Sequence, residues 1–207
     1  MKPFGNGYSS ETHMQVRSLD STLRHEEFTQ LPRCPVTLFL DNLRSAFNVG
    51  SIVRTADCSR IDKIVFCGIT AHPPNPKLEK TALGALSALS WEYEPDIVSG
   101  VERLQQAGVP VVALETTNVS RVLWNFQFPL PVGLVVGNEA LGVSKEVLRL
   151  ANTVVEIPMM GFKNSINVAV AFGIVSYEIQ RQHWNRLKSN HELKNRIAMQ
   201  KGPPSIR

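Results

Sequence analysis

Long apolar runs are missing from this chain of 207 residues: no stretch of 18 exists, so no transmembrane helix is expected. The opening residues, MKPFGNGYSSETHMQVRSLD, lack the apolar segment of a secretory signal. Cysteine is scarce. Cys34, Cys58 and Cys67 are too few and too scattered for a disulfide framework, and they form no C-x-x-C pair. The five histidines are dispersed without ligand spacing, so no metal is expected. These absences describe a cytoplasmic protein with reduced thiols. Two phosphate-binding signatures are also missing, the G-x-G-x-x-G of dinucleotide enzymes and the G-K-[ST] of P-loop proteins. An ordinary nucleotide-dependent α/β enzyme such as a dehydrogenase is thereby disfavoured.

What is present is apolar content of 43%, enough for one sizeable core, and a net charge of +4 that is unevenly placed. Residues 181–207 carry seven Lys or Arg and one Glu, whereas residues 1–180 sum to −2. A basic C-terminal tail suits a polyanion such as nucleic acid, or is simply a solvated tail.

The apolar pattern alternates between short strands and amphipathic helices. VTLFLD (36–41) reads as a buried strand, and a helix over roughly 49–60 follows, with an apolar stripe at Val49, Ile52, Val53 and Ala56. KIVFCGI (63–69), VPVVALE (109–115), 132–136 and TVVEIP read as further strands. Three prolines within TAHPPNPKLEK forbid regular structure there, and the stretch up to SWEYEP is ambiguous. DIVSGVERLQQAG is a helix ended by Gly108, SKEVLRLAN one capped by Ser144, and 165–182 the longest helix. Such alternation implies a mostly parallel α/β sheet with helices on both faces. Its ligands bind beyond the C-terminal ends of strands, which directs attention to the turns after 41, 115, 136 and 157.

Three of these turns carry chemistry-bearing side chains. NVGSIVRTAD (48–57) presents Asn48 and Gly50, and its Arg54 is either a guanidinium for a phosphate or hydroxyl, or a surface arginine paired with Asp57. VVGNEALGVS places Glu139 after Gly137, where it can pair with Arg54, act as an acid or base, or cap a helix. IPMMGFKNSINVAVA brings Ser165 and Asn167 to a helix start, where N-capping is their ordinary role. The helix that follows has two apolar stripes. One is Ile166, Ala169, Val170, Ile174 and Tyr177; the other is Val168, Phe172, Val175 and Ile179. A helix apolar on two sides is buried on two sides, by its own core and by a second subunit, so a homodimer is expected.

Together and in this order, the three segments resemble the sequence motifs of the SpoU (TrmH-type) RNA 2′-O-ribose methyltransferases of the SPOUT class. The resemblance covers about 36–182. It implies an α/β fold with a C-terminal deep trefoil knot, S-adenosylmethionine as cofactor, and tRNA or rRNA as partner. By motif position it assigns catalysis to Asn48, Arg54, Glu139, Ser165 and Asn167. It assigns the donor site to Gly137, Ile157 and Ile166, with Leu114 added from its place at a strand end. Departures are small: Gly137-Asn138-Glu139 stands where G-S/A-E is common, and Asn167-Val168-Ala169 where N-V-S is. The expected organisation is an N-terminal extension (1–35), the methyltransferase domain (36–182) and a basic tail (183–207), with no room before residue 36 for a separate RNA-binding domain. A catalytically silent RNA-binding member of the same fold is the alternative.

Overall fold

The structure, a computed structural model, describes residues 32–189. Seven strands are present in this span: β1 (Cys34–Asp41), β2 (Ile61–Cys67), β3 (Ser90–Glu94), β4 (Val111–Leu114), β5 (Arg121–Val122), β6 (Val132–Val136) and β7 (Thr153–Glu156). The helices between and after them are α1 (Ala46–Cys58), α2 (Pro76–Ala82), α3 (Ile97–Gln106), α4 (Lys145–Leu150) and α5 (Val168–Ser189). All strand pairs are parallel, in the order β3-β2-β1-β6-β4-β7-β5. Strand β6 thus sits between β1 and β4, and β7 between β4 and β5, each inserted between strands that precede it in sequence.

Parallel strands need cover on both faces, and alternate residues of β1 supply the two cores. Leu38 and Leu40 face Val49, Ile52 and Val53 of α1 and Phe172, Val175 and Ile179 of α5. Phe39 faces the other way, with Val101 of α3 and Val147 of α4. The Val49–Ile52–Val53–Ala56 stripe is wholly buried, as its spacing predicts.

Three local expectations are corrected and one open stretch is resolved. The proline-rich stretch does contain a helix: Pro76 occupies its first turn, where no N–H is needed, and Asn75 Oδ1 accepts from the N–H groups of Lys77 and Leu78 at 3.1 Å. SWEYE, the ambiguous stretch, is the edge strand β3. Ser144 stands before α4 without capping it by its hydroxyl; its N–H donates to Asp41 Oδ2 at 2.7 Å. The longest helix begins at Val168 rather than 165, because Asn167 Oδ1 accepts from the N–H groups of Ala169 (2.9 Å) and Val170 (3.4 Å). That helix also runs past 182 to Ser189, so the described part of the tail is helical; residues 190–207 and 1–31 lie outside the described residues.

Gly50 has a packing reason. A Cβ there would lie 2.5 Å from Thr81 Cβ, so its bare backbone lets α2 close onto α1.

Candidate active site

Strands β6, β4 and β7 are neighbours in the sheet, so their C-terminal ends meet: Leu114 is paired with Val136 and Val155. Beyond these ends lies a cavity of about 1020 Å³. Eight of the nine residues singled out in the sequence line it: Asn48, Glu139, Ser165 and Asn167, and Leu114, Gly137, Ile157 and Ile166. The ninth, Arg54, is not among its walls. It is exposed on α1, and its guanidinium makes no hydrogen bond or ion pair among the described residues. The surface pairing with Asp57 is not formed there.

A chain of hydrogen bonds ties the three motif segments together. Asn167 Nδ2 donates to Asn48 Oδ1 (3.1 Å), and Asn48 Nδ2 donates to Glu139 Oε1 (2.9 Å). Glu139 also accepts the backbone N–H of Arg44 on Oε2 (2.9 Å) and of Ser45 on Oε1 (3.1 Å). Ser45 in turn caps α1, its hydroxyl accepting the Asn48 N–H. Among the described residues Glu139 makes no ion pair with Arg54; its carboxylate fastens the loop that precedes α1, whose N-cap is Ser45. Burial alone would push the Glu139 carboxyl up. The donors from Arg44, Asn48 and Ser45 outweigh it and hold the group below the usual glutamate range.

Three further side chains fix the rim. Asp41, buried at the end of β1, receives the N–H of Ser144 (2.7 Å) and the amide of Asn42 (2.9 Å). Asn138 donates to Asn42 O (2.6 Å) and accepts from Ala140 (2.9 Å) and Leu141 (3.1 Å). Glu115 accepts the Val143 N–H at 2.9 Å and packs against Gly142, whose φ of +70° and lack of Cβ make room for it. The space beside Gly137 is filled by the backbone of Gly142 and Val143 rather than kept open for a ligand. Asp41 and Glu115 carry no motif signal in the sequence. The signal that points to them is an acid directly after an apolar strand, at the ligand-binding end of the sheet.

Residues 35–177 match the SpoU rRNA Methylase family. The chain belongs to that family. Among SpoU relatives, an uncharacterized tRNA/rRNA methyltransferase of Synechocystis sp. is 28% identical over 166 residues, 79% of this chain and 60% of that one. This chain therefore spans about three fifths of that relative's length. The tRNA (guanosine(18)-2′-O)-methyltransferase of Thermus thermophilus is 29% identical over 181 residues, 85% of this chain and 88% of its own. Among solved structures, the SpoU methyltransferase AviRb from Streptomyces viridochromogenes in complex with the cofactor AdoMet superposes with a TM-score of 0.65 at 29% identity, covering 76% of this chain and 64% of that one. The seven-stranded parallel sheet with helices is the fold these SpoU structures share with the chain. No helix among the described residues is long and apolar enough to cross a membrane, and no cluster of potential metal ligands occurs among them.

Proposed function

We propose that this chain transfers a methyl group from S-adenosylmethionine to a ribose 2′-hydroxyl of tRNA or rRNA. The observation that carries the reading is the cavity at the ends of β6, β4 and β7, walled by residues of all three SpoU motifs. Its volume of about 1020 Å³ admits a nucleoside-sized donor. Glu115, Glu139 and Glu156 against Lys145 on its walls favour a cation, as the sulfonium is. Leu114, Gly137, Ile157 and Ile166 are assigned to holding the donor, whose contribution is an electrophilic methyl group.

The chain's own task is to position and activate the hydroxyl, a poor nucleophile until its proton is drawn away; as the O–C bond forms and the S–C bond breaks, S-adenosylhomocysteine leaves and the proton passes to an RNA phosphate oxygen or to water. Glu139 is a positioning residue: both carboxylate oxygens are engaged by Arg44, Ser45 and Asn48, so neither is a free base. Asn48 is clamped between Glu139 and Asn167, which fixes its amide on the cavity wall. The Ser165 hydroxyl has no partner among the described residues and is assigned to the ribose. Arg54 supplies a fixed positive charge and two-pronged donor near the reacting oxygen. A guanidinium holds its proton too tightly to serve as an ordinary base.

A homodimer completes this reading. The core-facing stripe of α5 is satisfied, but Ile166, Val170 and Tyr177 of the other stripe are 39%, 54% and 55% exposed. On α1, Phe47 is 59% exposed and shares a face with Ser51 and Arg54. Pairing these faces would cover the apolar stripe and carry Arg54 to a cavity it does not line in its own chain. The interleaved strand order supports the C-terminal knot, and the uncombined cysteines support a cytoplasmic setting. The organisation into extension, catalytic domain and basic tail belongs to the same proposal, with RNA capture assigned to the two ends.

The test is transfer of tritium from methyl-labelled S-adenosylmethionine to bulk tRNA and deproteinised ribosomal RNA. Ribose methylation leaves alkali-resistant labelled dinucleotides. Donor binding by calorimetry without any transfer to RNA would leave only the silent RNA-binding reading.

A further inference from the structure

The ligand-binding rim continues past the cavity to the far edge of the sheet, where an aromatic pair stands, half-buried His72 against exposed Tyr93. The ring of His72 lies 4.2 Å from that of Tyr93, tilted by 31°. Both rings are fixed in place. Tyr93 Oη donates to Gly68 O at 3.1 Å, and His72 Nδ1 donates to Pro73 O at 3.0 Å. The second ring nitrogen, Nε2, has no partner among the described residues. Tyr93 is nevertheless 43% exposed, as is Trp91 at 40%, two residues earlier on the same face of the edge strand β3. Ile69 beside them is 68% exposed. Trp91 meets the core ring of Phe66 edge-to-face at 5.9 Å, yet Trp91, Tyr93 and Ile69 all keep apolar surface open to solvent.

The pair is joined rigidly to the catalytic rim. Asn42 Oδ1 accepts the Ile69 N–H (3.1 Å), and Thr70 Oγ1 accepts the Leu43 N–H (2.9 Å) while donating to Leu40 O (2.9 Å). The same 42–45 loop is bonded on its other side to Asn138 and Glu139 of the cavity wall. Three interstrand steps separate β6 from β3, about 15 Å at the usual spacing. A few nucleotides span that distance. The charge along the way suits a polyanion: Arg44, Lys77 and Lys80 are exposed, against Glu79. The acids of β3 face the opposite side, where Glu92 meets Lys63 at 2.6 Å and Glu94 meets Arg103 at 2.8 Å.

We infer that the His72–Tyr93 pair is a stacking platform for an unpaired base of the substrate RNA, a few nucleotides from the ribose that is methylated. Rigid rings that reach the surface offer a π-face to any base, and RNA proteins read single-stranded segments in this way. The platform selects substrates in which the target ribose is flanked by unpaired nucleotides. This inference rests on the proposed methyl transfer to RNA.

The experiment compares the wild-type protein with His72→Ala and His72→Phe, which lie in a loop and leave the sheet intact. Affinity for bulk tRNA and for deproteinised ribosomal RNA is measured over a range of salt, with S-adenosylmethionine affinity as the fold control. His72→Ala should weaken binding to the methylated RNA by about 5- to 100-fold, the scale of removing one base stack, at every salt concentration. The slope against log[salt] should not change, because every phosphate remains bound as before. His72→Phe should restore binding, and the weakening should reappear in the KM for RNA. Wild-type methylation of RNA with His72→Ala binding within twofold of wild type would overturn the platform alone. So would a weakening that His72→Phe does not repair. A wild-type protein that binds donor but neither binds nor methylates RNA would overturn the proposed function, and the platform with it.

Discussion

At the scale of single residues, the site divides into side chains that hold the rim and side chains left for substrate. Glu139 belongs to the first group, and the proposed function assigns Arg54 to the second. Arg54→Ala should leave S-adenosylmethionine affinity within about threefold, a change under ~0.7 kcal/mol. Methyl transfer should fall by on the order of 100-fold, the cost of removing a transition-state interaction. Arg54→Lys should recover little, since an ammonium lacks the planar fork. Near-normal turnover of Arg54→Ala would return Arg54 to the protein surface. Glu139 makes a prediction in pH. Its folded carboxyl is held below the usual range, so its stabilisation is complete above the unfolded value of about 4.3 and fades as pH falls through the folded value. The melting temperature of wild type should exceed that of Glu139→Gln at neutral pH, and the gap should close in acid. A gap that is constant with pH would mean the carboxylate charge contributes nothing to the loop.

At the scale of elements, close approaches of backbone decide where helices and turns can sit. Gly50→Ala should destabilise by about 1–3 kcal/mol in urea unfolding, because the added Cβ meets Thr81 of α2. Gly142→Ala combines a left-handed backbone with a collision against Glu115, and should cost at least as much while also weakening donor binding. An unaltered unfolding midpoint in either variant would show that the neighbouring element is free to move away. The same elements show what a sequence can disclose. Strand β6 is legible as a short continuous apolar run, and the buried stripe of α1 by its helical spacing. Strand β3 is not, since SWEYE is short and lies at a sheet edge where it buries little, so its alternation spans only four residues. Helix α2 is hidden by its own start signal: a proline that usually breaks a helix here opens one. Of the site, the residues that follow strand ends are legible by motif position. The Asp41–Ser144 and Asn42–Asn138 bonds are not, because each joins residues about a hundred positions apart.

At the scale of the whole molecule, assembly and RNA capture are expected. Wild type should sediment as a dimer at micromolar concentration, and Val170→Glu with Tyr177→Glu should shift it toward monomer with loss of transfer. A monomer that methylates RNA at full rate would remove the reason for the exposed α5 stripe. Deleting residues 190–207 should weaken RNA binding and flatten its salt dependence, by roughly 0.7–0.9 in slope for each phosphate the tail neutralises, while donor binding survives. An unchanged slope would make the tail a solvated extension. The central claim is that the cavity at the ends of β6, β4 and β7 directs a methyl group to a ribose oxygen. Nucleoside mass spectrometry of RNA incubated with the protein and S-adenosylmethionine tests it most directly. The predicted result is one 2′-O-methylnucleoside that accumulates with wild type and nearly vanishes with Arg54→Ala. A methylated base, or no methylated nucleoside in any RNA from a donor-binding protein, would contradict it.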